Sequence, residues 1–173
     1  VQYSGSSRIE VPYTVIETQA DVDTFITAVA GISQIQGSTG PGLGVQTADS
    51  LLTTAAVTST FQSFCLSTDG RPNTGPSISG AVAAAQGSTY GLDRFSVIAI
   101  NDPGSFGPAQ AQAAYGSSVF GGGTVFFVSN SVEFANTVGG LCLGDPVKLV
   151  GLEVTQAVQN LENSVKLVEN KRT

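Results

Sequence analysis

Phe64-Cys65-Leu66-Ser67-Thr68-Asp69-Gly70-Arg71-Pro72-Asn73 sets an apolar run against a polar turn, and the fold follows from how that junction is read. The run, Thr60 to Ser67, is short and stops abruptly. Runs of this kind suit a strand buried on both faces of a parallel sheet. The turn behind it collects Asp, Gly, Pro and Asn, the residues that reverse a chain at least cost. Asp69 then stands at the carboxyl end of the strand, the edge at which open α/β sheets bind their ligands.

Working outward, the same grammar repeats. Downstream, Ile78 to Gln86 predicts a short Ala-rich helix, and Arg94 to Ile100 a second buried strand that ends at Asn101-Asp102-Pro103-Gly104. Pro108 to Tyr115 predicts a helix with proline at its first position, where its missing N–H costs nothing. Gly121-Gly122-Gly123 is a sharp turn before a strand at Thr124 to Val128. Ser131 to Val138 predicts a helix with Ser131 as its cap and Gly139 as its stop. Upstream, Gly37-Ser38-Thr39-Gly40-Pro41-Gly42-Leu43-Gly44 is a loop, followed by a helix from about Leu43 to Thr54. Val22, Phe25, Ile26 and Val29 fall at i, i+3, i+4 and i+7, one face of a helix spanning Thr18 to Ile32 with Thr18 as its cap. Residues 1–7 end a strand in a turn, and Arg8 to Ile16 alternates like a second strand, so the pair predicts a hairpin. The fold class read from this order is α/β: a doubly wound, mostly parallel sheet with helices on both faces and an antiparallel edge hairpin.

Beyond Gly140 the character changes. Asp145-Pro146 reads as a linker, Leu149 to Val158 alternates like a strand, and Leu161 to Thr173 is polar and irregular. The organisation expected is therefore one α/β domain over residues 1–140, then a linker and the first strand of a following domain over 141–173.

Composition narrows the chemistry. Of 173 residues, 12% are charged, about half the usual share of roughly 25%, so the polar surface falls to Ser, Thr, Asn, Gln and Gly. Such a surface is common in secreted proteins. The formal net charge is −6, and the one cluster of positive charge is Lys166, Lys171 and Arg172 near the C-terminus. Nucleic-acid binding needs a basic face that releases counterions, so it is not expected. No apolar run approaches the roughly 20 residues of a membrane span. Histidine is absent. That removes Ser-His-Asp and Cys-His catalysis unless another chain supplies the base, and His-ligated zinc with them. What remains is oxygen-ligand metal binding by Asp, Ser and Thr, which suits Mg²⁺ or Ca²⁺. The two cysteines, Cys65 and Cys142, leave two readings open: one disulfide, implying an oxidising compartment, or two buried free thiols.

Three segments together resemble the von Willebrand factor type A (VWA) family. Gly37 to Gly42 is similar to the family's Gly-Gly-Thr-x-x-Gly loop before a helix. Phe64 to Asn73 is similar to its apolar strand followed by Thr-Asp-Gly-x-Pro-Asn. Arg94 to Asp102 is similar to the next core strand with its acidic loop. Tyr115-Gly116, Gly121-Gly122-Gly123 and Ser131 to Ala135 further resemble a bacterial subgroup, so the likeness covers about residues 1–140. The resemblance implies a metal-ion-dependent adhesion site in which Thr39 and Asp69 supply ligands and Mg²⁺ or Ca²⁺ is held open to a partner's carboxylate. The chain departs from the family in the loop that matters most. No Asp-x-Ser-x-Ser occurs in it, and Ser4-Gly5-Ser6-Ser7 lacks the Asp. The family's first strand and first helix have no counterpart. That strand is central, so a sheet without it has an open gap, filled by another chain or segment, or by the rest of a longer protein of which this is a piece.

The function implied is a non-enzymatic adhesion or protein-interaction module of a larger secreted or surface protein, extracellular, with a protein partner or another segment of the same parent. The alternative is a structural or assembly module with no working metal site. A third reading, an enzyme using Asp69 and Asp102 as acid and base, competes with the simpler account that both are loop aspartates satisfying turn amides.

Overall fold

The structure, a computed structural model, describes residues 1–56, 61–102 and 104–142. The expected strand at 149–158, the following domain and the basic cluster near the C-terminus lie outside the described residues. Within them the protein is mixed α/β: a three-stranded parallel sheet flanked by helices, and a small antiparallel hairpin.

Strand β3 is Ser63–Thr68, β4 is Arg94–Ile100 and β5 is Val125–Val128, in sheet order β3-β4-β5. The register runs Ser63↔Arg94 to Thr68↔Ala99, and Val97↔Val125 to Ile100↔Val128. Side chains alternate across a strand, which sorts the sheet into two faces. Phe64, Leu66, Phe95, Val97, Ala99, Val125 and Phe127 belong to one face and pack in a single core with Ile78, Ala81, Val82 and Ala85 of α3 (Ile78–Gln86) and with Ala111 and Tyr115 of α4 (Pro108–Tyr115). Phe95, Val97, Ala99, Ala111 and Tyr115 are wholly buried. Cys65 points the other way, and on that face it is joined by a disulfide to Cys142 of α5 (Ser131–Cys142). That helix packs on all three strands.

The local signals explain the well-placed elements. Ser77 caps α3 by accepting from the Gly80 N–H at 3.2 Å. Pro108 opens α4, and the Gln110 side chain accepts from the Gly107 N–H at 3.2 Å. Helix α1 (Gln19–Ala30) begins with a reciprocal cap: the Thr18 hydroxyl accepts from the Asp21 N–H, and the Asp21 carboxylate accepts from the Thr18 N–H at 2.8 Å. The Thr18 hydroxyl and the Glu17 and Thr18 amides hold the Asp21 carboxyl below its ordinary value.

Several expectations are corrected. The second hairpin strand does not run from Arg8 to Ile16. The ladder is Gln2–Tyr3 (β1) against Ser7–Arg8 (β2), and it forms its own two-stranded sheet instead of the edge of the parallel one. With no partner strand beyond Arg8, the alternating residues Ile9, Tyr13, Val15 and Ile16 are left exposed. The apolar face of α1 is not a core face: none of its residues is buried, and Phe25, Ile26 and Val29 are exposed. Periodicity reports that a helix has an apolar stripe, but not that something covers it. Helix α2 begins at Pro41 and runs to Ala55, two residues ahead of the predicted start, because Pro41 is itself a good first helical residue. Helix α5 continues through Gly139 and Gly140 to Cys142. A lone glycine stops a helix only where the backbone turns left-handed after it.

The hairpin lies against α2. The Ser7 and Thr47 hydroxyls are 2.6 Å apart, and the Tyr3 ring rests on Gly44, where an added Cβ would come within 2.7 Å of the ring. Glycine at 44 is what lets β1 approach the helix and, beyond it, the sheet.

Candidate functional site

The loop after β3 and the loop before α2 meet at the carboxyl edge of the sheet, and they are tied in both directions. The Thr39 N–H donates to the Asn73 side-chain carbonyl at 2.8 Å, and the Asn73 N–H donates to the Thr39 carbonyl at 2.9 Å. Thr39 Oγ1 sits against Gly70, close enough that a Cβ there would lie 2.9 Å from it. Asp69 and Thr39 line one open cavity of about 600 Å³, together with Tyr3, Ser38, Ser67 and Thr68. Asp69 is exposed, and among the described residues its carboxylate has no hydrogen-bond partner. The N-terminus of α2 lies beside this cavity, and its partial positive charge favours an anion, whether Asp69 itself or an acidic group brought by a partner.

Beneath the loop lies a network that pattern reading did not single out. Thr68 Oγ1 donates to the Gly70 carbonyl at 3.1 Å and accepts from the Gly70 N–H at 3.3 Å. The Tyr115 hydroxyl, at the end of α4, donates to the same carbonyl at 2.7 Å and lies 3.3 Å from Thr68 Oγ1. Phe106 holds the Tyr115 ring edge to face, with centroids 6.3 Å apart. From the other side the Tyr3 hydroxyl donates to the Ser67 carbonyl at 2.7 Å. Burial pushes the Tyr115 phenol up to about 12, with the nearby Asp69 charge adding to the shift against the lowering bond from Thr68. Burial pushes Tyr3 up as well. Both phenols therefore remain neutral donors, and both brace the backbone that carries Asp69. No local signal marks Tyr3 or Tyr115 for this role, since their partners are 64 and 45 residues away.

Asp102 is not part of this site. It accepts from the Ser105 hydroxyl, and its backbone bridges Phe106 in its own turn. It is not among the residues lining the cavity of Asp69. Among the described residues no group of three or more Cys, Asp or Glu could close around a metal. The donors present, one hydroxyl and one carboxylate with no competing partner, are hard oxygen ligands. They fit a divalent cation that keeps most of its water, not one held in a protein cage.

The cavity continues as a groove. A second opening of about 390 Å³ shares Val1, Tyr3 and Ser67 with the first and extends past Val45, Leu51 and Leu52 to Ser63. The two together run along β3, with Phe95 and Ile100 of β4 also among their lining residues.

No family model matches the chain, and comparison with curated proteins and with solved structures likewise returns no match. None of the described helices is long and apolar enough to cross a membrane.

Proposed function

We propose that this chain is a non-enzymatic adhesion or protein-interaction module of a larger secreted or surface protein, built on a doubly wound VWA-like sheet. In this reading Thr39 and Asp69 are two ligands of a hydrated Mg²⁺ or Ca²⁺, and a protein partner's carboxylate completes the coordination. The observation that carries the reading is the exposed, unpaired carboxylate of Asp69 beside Thr39, on two loops that hydrogen-bond to each other over one open cavity. A divalent cation at such a place would need no catalytic group, and the absence of histidine leaves no ordinary base for acyl transfer. The disulfide between Cys65 and Cys142 supports an oxidising, extracellular setting.

The test is a cation titration followed by NMR on labelled protein. Millimolar Mg²⁺ or Ca²⁺ is expected to move the amide signals of Ser38–Gly40 and Asp69–Asn73, and Mn²⁺ to broaden them. Asp69→Ala should abolish both effects. If those signals stay put in wild type, the cation reading fails, and the structural or assembly module without a metal becomes the better account. The second reading is favoured by the absence, among the described residues, of any group of three or more Cys, Asp or Glu that could close around a metal.

A further inference from the structure

Most of the exposed large apolar side chains among the described residues fall between positions 9 and 29. Ile9, Tyr13, Val15 and Ile16 are exposed ahead of α1, and Phe25, Ile26 and Val29 are exposed on it, Ile26 by 58%. Among the described residues α1 packs closely on no other helix or strand. A helix of 12 residues is marginal in water by itself, because most helical stability comes from burying an apolar face. Exposed apolar surface gathered in one place marks an interaction site. The helix is nevertheless held at both ends. The reciprocal cap of Thr18 and Asp21 fixes its start. Just beyond its end, the Gln2 amide and the Arg8 guanidinium donate to the Ser33 carbonyl, and the Ile35 N–H donates to Gln2. The stripe is thus presented on a fixed support.

The charges around the stripe say what can cover it. Residues 9–36 contain Glu10, Glu17, Asp21 and Asp23, and no Lys or Arg. At 3.6 residues per turn, Asp21 and Asp23 stand about 100° to either side of Val22. The stripe of Val22, Phe25, Ile26 and Val29 therefore starts between two carboxylates. Asp23 accepts from the Gln19 amide at 2.9 Å, a neutral partner that leaves its charge in place. The three arginines among the described residues lie elsewhere or are paired. Arg8 is paired with Glu10, Arg71 lines an opening against α4, and Arg94 lies over the Phe61 ring. The α1 of a second copy brings only further carboxylates to this face. Helices that lie on anionic membranes carry Lys and Arg on their polar side, and this one carries neither. From Val22 to Val29 the stripe is about 10 Å long, a ridge that fits the groove of another helix.

We infer that the apolar stripe of α1 is a docking surface for an amphipathic helix of another protein, one whose apolar ridge is flanked by Lys or Arg. The cavity of Asp69 takes no part in it, so this inference and the cation reading stand or fall separately.

Hydrogen exchange on the full chain, in the presence of EDTA, tests it. In dilute protein alone the amides of 23–30 are expected to exchange at nearly unstructured rates. The probe is a synthetic helix with leucine at i, i+3, i+4 and i+7 and lysine on both sides of that stripe. The control is the same helix with glutamate for lysine. The lysine helix at millimolar concentration should slow 23–30 on the order of 10-fold, and the glutamate helix should not. Ile26→Asp should abolish the slowing. Glu17→Lys with Asp23→Lys leaves the cap of Thr18 and Asp21 intact and should transfer the effect to the glutamate helix. No slowing by the lysine helix overturns the inference, as does equal slowing by both. Slow exchange of 23–30 in dilute protein alone also overturns it, because the chain itself then covers the stripe. Slowing that grows with protein concentration assigns the face to a second copy, and slowing by phosphatidylcholine vesicles assigns it to lipid; either result overturns the inference.

Discussion

Replacing Cys65 and Cys142 together by alanine cuts the one covalent tie between α5 and the sheet. The half-cystines are 77 residues apart in sequence. If a disulfide acts mainly by restricting the unfolded chain, closing a loop of that length is worth about 4.5 kcal/mol at 25 °C. Domains of this size have total stabilities of about 5–15 kcal/mol, so the loss is roughly 30% or more of the whole. Guanidinium unfolding of the oxidised protein and of the double variant measures it directly. The midpoint should fall, and the slope of stability against denaturant should rise, because the untied unfolded chain exposes more surface. Hydrogen exchange should show where the loss begins: α5 amides open first, while Val97 and Ile98, buried at the centre of the sheet, keep their protection. A loss below about 1 kcal/mol would refute the reasoning, since α5 would then be held by its packing and the link would be incidental. An unchanged slope would count against the unfolded-state explanation even if the midpoint fell.

Tyr115→Phe should cost about 0.5–1.5 kcal/mol, because the Gly70 carbonyl loses its shorter donor and keeps only the Thr68 hydroxyl, and thermal unfolding measures it; a loss within experimental error would show that the Thr68 bond alone suffices. The same phenol predicts a pH dependence. Its folded value is raised to about 12 from an ordinary 10, so its contribution is fully present below pH 10 and is lost as pH climbs from 10 toward 12; urea midpoints across that range should fall, and fall less in the phenylalanine variant. Gly44→Ala should push the Tyr3 ring off α2 and cost about 1–3 kcal/mol, with the Tyr3 hydroxyl losing the Ser67 carbonyl; an unmoved Tyr3 ring spectrum would contradict the packing described.

Much of this architecture could be read before any coordinates, and the parts that could share one property: their causes are local. Helices α3 and α4 and strand β4 have the predicted ends because Ser77, Pro108 and the apolar run of Phe95 to Ile100, interrupted only by Ser96, act within a few residues of themselves. Thr18 caps α1 for the same reason. Asp69 could be placed at the carboxyl edge because the loop after a parallel strand lies there, whereas Thr39, whose loop follows helix α1, is brought to it in the sequence only by the resemblance to the VWA family. What escaped reading depends on partners far along the chain. Ile9 to Ile16 alternates well enough for a strand, yet a strand needs a neighbour, and the ladder of β1 and β2 ends at Arg8. The stripe on α1 is periodic, but nothing in its period says what it should face. Asn73, Tyr3 and Tyr115 brace the candidate site across 34 to 64 residues of chain, and no short pattern encodes such a reach.

The sheet is laid down in chain order, β3 beside β4 beside β5, with each strand joined to its neighbour through one short helix. Such a layout has a kinetic consequence. Each pairing closes a loop of modest length, so the sheet can zip up from β3 onward as the chain emerges during synthesis, without waiting for distant partners. The link from residue 65 to residue 142 can close only after all three strands have been made. Oxidation would then act as a latch set on a nearly finished fold, and errors in it should appear late in maturation, as a population with native-like sheet signals and two free thiols.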